Sequence, residues 1–201
     1  MKTKITIPCF VALLLCAGCA HTPQNADGAG ATTTHQVTTR TGEATVVVTF
    51  NNPENFTDVK SSMMGSDKDR DSLLEELRDY VVEQAPRFLN GGQTFAITFN
   101  DIDMAGDFEP NRGPGLQDVR IVREIWPPRI ALDFSLSLKS AGGAEIAGGT
   151  RRLTDLAFMN VIPAGGVFRD DRLRHEKMLL FNWLSGEVAS LSRAAPAGGG
   201  K

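Results

Sequence analysis

Ten consecutive residues, Arg129–Leu138, alternate strictly between large apolar side chains and polar or small ones. The apolar set is Ile130, Leu132, Phe134, Leu136 and Leu138, and the other set is Arg129, Ala131, Asp133, Ser135 and Ser137. Successive side chains of a β-strand point to opposite faces of a sheet, so this pattern predicts a strand that is buried on one face alone. A sheet covered on both faces would show continuous apolar runs instead.

Four further segments are typical of strands, and turn residues separate them. They are Ala44–Phe50, Thr94–Phe99, Val119–Ile125 and Ala144–Leu153. Pro127 and Pro128 follow the third of these segments and end it, because proline cannot donate a hydrogen bond to a strand ladder. The residues at 140–143 predict a hairpin turn into the last and weakest strand.

Two longer segments carry apolar side chains at the spacing of an amphipathic helix. The first covers Ser66–Leu89, where Pro86 should end or kink the helix near Gln84. The second covers Asp170–Ser192.

The resulting order, β-α-β-β-β-β-α, predicts an α+β fold in which a mixed sheet and two helices form a two-layer sandwich. The first two strands can pair in parallel through the crossover helix, and the later strands can form an antiparallel meander. Because the strands alternate, both helices should pack on one face of the sheet and leave the other face polar. We expect one domain over residues 43–193.

The N-terminus has the layout of a bacterial lipoprotein signal peptide over residues 1–18. Lys2 and Lys4 precede the apolar run Ile5–Ala17. This run has about 13 residues, whereas a helix needs about 20 to span a membrane. We therefore expect a cleaved signal and no permanent transmembrane anchor.

Cys19 is the expected lipidation site, because the small pair Ala17 and Gly18 precedes it. Cys16 departs from the usual pattern, in which Leu, Val or Ile stands three residues before the cut. Ordinary secretory cleavage is the alternative. Asp directly after the lipidated residue commonly retains a lipoprotein in the inner membrane. By resemblance to enterobacterial sorting, Ala20 instead favours a periplasm-facing position on the outer membrane.

Composition limits the chemistry of the expected mature protein. All three cysteines lie in the first 19 residues, which leaves no disulfide and no cysteine-based metal or catalytic site. The formal net charge is −3, and a nucleic-acid partner would need clustered Lys and Arg. Residues 19–42 and 194–201 have few large apolar side chains, which predicts a flexible tether and a disordered tail.

An acidic loop follows the second predicted strand and resembles part of a calcium-binding loop. Its carboxylates, at positions 1, 3, 7 and 9, belong to Asp101, Asp103, Asp107 and Glu109. Gly106 stands at position 6, but Ala105 and Arg112 occupy positions where oxygen ligands are expected. The alternative is a turn whose aspartates accept backbone N–H bonds and pair with nearby arginines.

Five arginines form the second polar feature. They are Arg120, Arg123, Arg129, Arg151 and Arg152. We expect Arg129 to share the outward face of its strand with Asp133, and Arg120 to pair with an aspartate of the 101–107 loop. On a solvated sheet face such pairs contribute about 0–1 kcal/mol each. The alternative is a patch, with Arg120 and Arg129 as members, that binds an anionic polymer or a partner.

No motif predicts an enzyme or a cofactor site. His21 and His35 fall in the predicted tether, so His175 is the only histidine of the predicted domain. No second His follows four residues later, so the zinc-protease pattern is absent. The sequence also has no G-x-S-x-G motif that would place a nucleophilic serine, and no phosphate-binding glycine loop. We expect His175 to be an exposed helix residue.

Several short segments resemble the domain-of-unknown-function family 3016. They are Phe56-Thr57-Asp58, Asp101–Gly106, Val119-Arg120, Pro127–Ile130, Leu153–Asp155 with Phe158, and Glu176-Lys177 before Trp183. The resemblance covers roughly residues 44–191 and is most specific at Asp101–Gly106. It implies a proteobacterial envelope protein and brings no established activity or catalytic residues.

Three hypotheses follow. The first is a non-enzymatic outer-membrane lipoprotein whose domain binds a periplasmic protein or a cell-wall polymer. The second is a small-ligand or divalent-cation-binding lipoprotein that uses the loop from Asp101 to Glu109. The third is a hydrolase with paired carboxylates, which would need a cleft containing acids of raised pKa.

Overall fold

The computed structural model describes residues 33–38, 44–113, 115–138, 142–160 and 171–194. The predicted signal peptide, the predicted lipidation site Cys19, most of the predicted tether and residues 195–201 lie outside the described residues. No described helix is long and apolar enough to cross a membrane.

The described strands form a mixed five-stranded sheet and a small two-stranded sheet. In chain order they are β1 (Thr33–Thr38), β2 (Thr45–Phe50), β3 (Gln93–Asp103), β4 (Asp107–Phe108), β5 (Arg120–Ile121), β6 (Arg129–Leu138) and β7 (Ala144–Thr154). The large sheet has the order β1-β2-β3-β6-β7, and β4 pairs with β5. The pair β2 and β3 is parallel, and helix α1 (Asp67–Gln84) connects these two strands. The other pairs are antiparallel.

The predicted alternation decides which face of the large sheet is buried. The inward side chains of the central strands are Val46, Val48, Phe50, Phe95, Ile97, Phe99, Ile130, Leu132, Phe134 and Leu136. They share one hydrophobic cluster with Leu77 of α1 and Leu180 of the C-terminal helix. Residues on the opposite face, such as Thr98 and Asp133, are half-buried or exposed. The predicted α+β two-layer sandwich, with both helices on one face, is confirmed.

Helix α1 has the predicted ends. The Ser66 hydroxyl accepts a hydrogen bond from the backbone N–H of Asp69, which caps the first turn. The helix ends at Gln84, and Pro86 lies in the 3₁₀ turn that follows, Ala85–Phe88.

The C-terminal helix is less regular than predicted. Helix α2 (Arg174–Trp183) begins at Arg174 rather than at Asp170, and a π-helical turn, Leu184–Val188, joins it to α3 (Ala189–Ala194). Glu187 of this turn accepts hydrogen bonds from Trp183 and from Arg151 of β7. The π-helical turn therefore carries the carboxylate that ties the helix layer to the edge of the sheet.

A bulge in β3 changes which residues face the core. The register between β3 and β6 shifts between Phe99 and Asp101, and the extra residue is Asn100. Phe99 and Ile102 are both buried, whereas Asp101 and Asp103 are half-buried. An unbroken period of two would have placed both aspartates in the core, so the bulge is what keeps their carboxylates out of it.

Two predicted boundaries differ from the structure. The strand predicted at Val119–Ile125 is reduced to β5, which pairs with β4 outside the large sheet. Six residues of the predicted tether, Thr33–Thr38, form β1 and pair antiparallel with β2. Without this pairing, β2 would be an open sheet edge with unpaired backbone groups.

The topology collects the long connections at one edge of the large sheet. Because β2 and β3 are parallel, both end at this edge, and β6 begins there while β7 ends there. The connections that meet are residues 51–66, 104–128 and 155–160, described except for position 114. We call this region the loop edge. Helices α1 and α2 both begin beside it, so ligand-sized spaces are expected here.

Candidate functional site

An ion pair between Asp58 and Arg120 organises the loop edge. The Arg120 guanidinium donates two hydrogen bonds to the Asp58 carboxylate, at 2.9 and 3.0 Å. It also donates to the backbone carbonyls of Gly106 and Lys60, each at 2.9 Å, and lies 4.6 Å from the ring centroid of Phe108. Both side chains are largely buried, with 12% of Asp58 and 13% of Arg120 exposed. Arg120 thus fastens its own segment to the connection after β2 and to the turn after β3.

The expected partner of Arg120 was an aspartate of the 101–107 loop, and this expectation is wrong. Arg120 contacts that loop through the Gly106 carbonyl, while its carboxylate partner lies in the segment after β2. The Arg120 Nε–H group is buried and has no hydrogen-bond partner among the described residues.

Gly106 holds the tight turn between β3 and β4. Its φ angle is +80°, a conformation that residues with a Cβ atom rarely adopt. Its N–H group donates to the Trp126 carbonyl at 3.0 Å. A Cβ atom added here would lie 2.6 Å from the Ile121 carbonyl oxygen. The close approach of the two backbones therefore requires glycine.

Glu176 is a buried carboxyl group on the first turn of α2. Its side chain is 1% exposed, and Oε1 accepts a hydrogen bond of 2.7 Å from the backbone N–H of Ala105. Burial raises the pKa of Glu176 to about 7, with the Ala105 hydrogen bond acting in the opposite direction. An acid of raised pKa beside a cavity is a common feature of functional sites.

His175 is half-buried, so its expected exposure on the helix is wrong. Its ring meets the buried Phe158 edge-to-face at 4.8 Å between centroids, and its Nε2 atom accepts from Arg174 Nε at 3.2 Å. Burial, with the Arg174 charge second, lowers the pKa of His175 to about 4. The imidazole is therefore neutral at pH 7.

Lys177 joins α2 to α1 through carboxylates. Its ammonium group donates to Glu76 and Asp171, each at 2.6 Å, and 8% of its side chain is exposed. Burial alone would lower the pKa of Lys177, but the hydrogen bonds to Asp171 and Glu76 outweigh it and raise the pKa. Glu76 also accepts from Arg172 at 2.9 Å. These contacts fix the start of α2 against the middle of α1.

The four predicted carboxylates of the acidic loop engage four separate partners. Asp101 accepts from Thr57, Asp103 from Arg129, Asp107 from the backbone of Phe108, and Glu109 from Arg123. The described residues contain no group of three or more His, Cys, Asp or Glu side chains arranged to hold a metal ion. The structure favours the turn interpretation, in which the aspartates satisfy backbone groups and arginines.

The five arginines are likewise not brought together. Arg129 and Asp133 share the outward face of β6 as expected, but Arg129 binds Asp103 at 3.0 Å. Arg151 binds Glu187 on the helix side, whereas Arg152 is exposed. A single arginine patch is therefore not formed by these residues.

Two neighbouring cavities open at the loop edge. The first, which we call the Arg174 cavity, has a volume of about 250 Å³ and is lined in part by Lys60, Met104, Arg120, Arg174 and Glu176. The second has about 220 Å³ and is lined in part by Asp58, Asp103, Asp107 and Arg129. Residues of the turn after β3 line both cavities, so the predicted acidic loop is a shared wall.

The loop edge also carries most of the large apolar side chains that are exposed in the described residues. Of the eight large apolar side chains that are exposed in the described ranges, seven lie here. They are Met63, Met64, Leu116, Val119, Ile125, Leu156 and Met159. Phe181, on α2, is the eighth.

Sequence reasoning did not assign roles to Asp58, Glu176 or Ala105. All three residues nevertheless lie within the segments that carry the family resemblance, and the structure brings those segments together. Thr57 binds Asp101, Asp58 binds Arg120, Asp103 binds Arg129, and Phe158 packs on His175. Their common membership in the resemblance could have suggested that these segments lie close together, but not which residues contact each other.

Comparison with known proteins gives one result. A family model described as "Protein of unknown function (DUF3016)" matches residues 44–186, which is more than half of the chain. The comparison with curated proteins gives no match, and neither does the comparison with solved structures. The matched range starts just before β2, includes the loop edge and ends within the π-helical turn. The chain therefore belongs to this family of proteins of unknown function.

Proposed function

We propose that this protein is a non-enzymatic, lipid-anchored envelope protein whose domain binds a periplasmic protein through the loop edge. The observation that carries the binding proposal is the concentration of exposed apolar side chains on the loop edge. Clustered apolar side chains on the surface of a soluble domain commonly mark contact sites for other proteins. Charged groups such as Asp107 and Glu124 lie among them and are exposed, as in the polar rim of an interface.

The loop edge suits a partner better than the polar face of the sheet does. On that face, Asp133 accepts hydrogen bonds from Asn100 at 2.7 Å and from Thr150 at 2.5 Å. These polar groups satisfy one another's hydrogen bonds, so covering them with a partner would bring little gain in free energy. The exposed methionine and aliphatic side chains of the loop edge, such as Met64 and Leu156, would gain from burial, at about 25 cal/mol per Å².

The same argument favours a protein over a cell-wall polymer. A glycan offers mainly hydroxyl groups, which do not reward the burial of aliphatic side chains. Met64, Ile125 and Leu156 are 86%, 67% and 76% exposed, and an apolar protein surface would cover them.

Site-specific photo-crosslinking in intact cells tests the binding proposal. A photoreactive residue at Met64, Ile125 or Leu156 should trap one recurrent protein, while the same residue at the exposed Arg152 of β7 should not. Leu156→Asp should then remove the product trapped at Ile125. Crosslinks to insoluble cell wall from these positions would contradict the protein partner in favour of a polymer. Equal products at Arg152 would contradict the loop edge as the contact site.

The lipid anchor is supported by the layout of residues 1–19, with Cys19 as the acylated residue. Metabolic labelling with palmitate should mark the protein, and Cys19→Ala should abolish the label. Fractionation should recover the labelled protein in the outer membrane. An unlabelled wild-type protein would overturn the anchor and leave ordinary secretion.

A further inference from the structure

The Arg174 cavity combines an apolar wall with a cationic rim. Leu73 of α1 and Met104, which follows β3, are buried and form part of its lining together with Val122. Lys60, Arg120, Arg172 and Arg174 bring four positive charges to the same space. Cavities of this type bind small molecules that carry both an apolar part and a charged group.

Two of the four cations are already committed to carboxylates. Arg120 holds Asp58 through two hydrogen bonds, and Arg172 donates to Glu76 at 2.9 Å. Such pairs position the walls of the cavity but leave little positive charge for a ligand.

Lys60 and Arg174 are the less committed cations. Lys60 Nζ lies 3.9 Å from Asp58, which Arg120 already occupies, and 41% of the Lys60 side chain is exposed. In the described part of the chain, Arg174 binds no carboxylate and donates to the neutral ring of His175. Both can therefore donate to a bound anion without breaking a strong ion pair.

The two acids that line the cavity do not cancel this charge. Asp171 accepts from Lys177 at 2.6 Å. Glu176 is held by the Ala105 N–H group, and burial raises its pKa to about 7, so that the carboxyl is about half protonated at neutral pH. A protonated Glu176 could donate a hydrogen bond to an anion instead of repelling it.

We propose that the Arg174 cavity binds a small organic anion, a carboxylate or phosphate monoester, with its charged group between Lys60 and Arg174. The apolar part of this ligand lies against Leu73, Met104 and Val122. His175 orients the Arg174 guanidinium through their hydrogen bond and stays neutral. The cavity opens at the loop edge proposed above as the protein-docking surface, but binding of the small anion does not require a partner protein.

Binding to the purified full chain should be measured with four probes that separate the charged group from the apolar chain. Hexanoate and hexyl phosphate carry the anionic group and the apolar chain, 1-hexanol carries the chain alone, and inorganic phosphate carries the charge alone. Titration calorimetry should give saturable binding for at least one hexyl anion, with 1-hexanol and inorganic phosphate at least tenfold weaker. The better hexyl anion identifies the headgroup class.

Variants locate the site. Arg174→Gln and Lys60→Gln should each weaken the better hexyl anion about tenfold, as expected for the loss of one charge-assisted hydrogen bond. Arg152→Gln, which removes an exposed arginine on β7, should leave binding unchanged. Thermal melting of each variant verifies that it is folded.

The outcomes of this test are decisive. No saturable binding of either hexyl anion, equal affinity for 1-hexanol, or unchanged binding in both cavity variants would overturn the proposal. Failure of the crosslinking experiment would leave this result untouched, because ligand binding is measured without a partner protein.

Discussion

The Oε1 atom of Glu176 accepts a hydrogen bond of 2.7 Å from the backbone N–H of Ala105, 71 positions earlier in the chain. This bond joins the first turn of α2 to the turn that follows β3. Ala105 is followed by Gly106, whose carbonyl binds Arg120, and Arg120 binds Asp58. One chain of contacts thus runs from the start of α2 across the loop edge, and an acid of raised pKa lies at its end.

Glu176 should make the folded state sensitive to pH. Its pKa rises from 4.5 to about 7 on folding, so the stabilisation it provides is complete below pH 4.5 and is lost as pH rises through 7. At about 1.4 kcal/mol per unit of pKa, the loss is on the order of 3 kcal/mol. Glu176→Gln keeps an acceptor for Ala105 but does not titrate. In urea unfolding, the variant should therefore be more stable than the wild type at pH 8, and this advantage should be smaller at pH 5.

The exposed Glu83 of α1 supplies the matched control for this prediction. Glu83→Gln should shift the urea midpoint by similar small amounts at pH 5 and pH 8. A Glu176→Gln variant whose advantage over the wild type does not grow between these pH values would show that Glu176 does not titrate as a buried acid.

The one-sided sheet could be predicted because its signal is local. In Arg129–Leu138, each side chain reports the face on which it lies, and ten residues in succession leave little ambiguity. Helix α1 could be predicted equally well, since Ser66 supplies a cap and Pro86 removes a backbone donor. These features depend on neighbours within a few residues.

The arrangement of the loop edge could not be predicted, because its partners are far apart in sequence. Asp58 and Arg120 are 62 positions apart, and nothing between them encodes their meeting. The bulge at Asn100 also has no strong sequence signal, yet it decides that Asp101 and Asp103 stay out of the core. His175 looked like an exposed helix residue because Phe158, which covers it, belongs to another connection.

Removing one partner of the Asp58–Arg120 pair should destabilise the domain strongly. Asp58→Asn leaves the largely buried Arg120 charge without its carboxylate, at a cost of about 3 kcal/mol in the free energy of unfolding. Asp103→Asn is the matched control, since its partner Arg129 is 60% exposed, and it should cost less than about 1 kcal/mol. Urea denaturation at pH 7 measures both. Equal losses would mean that the Asp58 pair is screened by solvent like a surface pair.

Calcium should not stabilise the protein. Asp101, Asp103, Asp107 and Glu109 each have a separate hydrogen-bond partner, and the described residues offer no cluster of acids for an ion. The melting temperature should therefore be unchanged by millimolar calcium, and Asp103→Ala should respond as the wild type does. A calcium-dependent rise that Asp103→Ala abolishes would restore the cation-binding hypothesis for this loop.

A pair of glycine substitutions separates backbone strain from a steric clash. Gly92 and Gly106 have similar positive φ angles, +76° and +80°, so alanine at either position costs about 1–2 kcal/mol in conformational energy. Nothing lies within 4 Å of a Cβ atom added to Gly92, whereas one added to Gly106 lies 2.6 Å from the Ile121 carbonyl oxygen. Gly106→Ala must therefore also push β5 away.

The free energy of unfolding should consequently fall by at least about 1 kcal/mol more for Gly106→Ala than for Gly92→Ala, in line with the usual cost of overpacking. The displacement of β5 should also loosen the Arg120 contacts with Gly106 and Lys60, which can be followed by faster hydrogen exchange at Gly106 and its neighbours. If both variants lost the same stability, the close approach of the Gly106 and Ile121 backbones would not constrain the loop edge in solution.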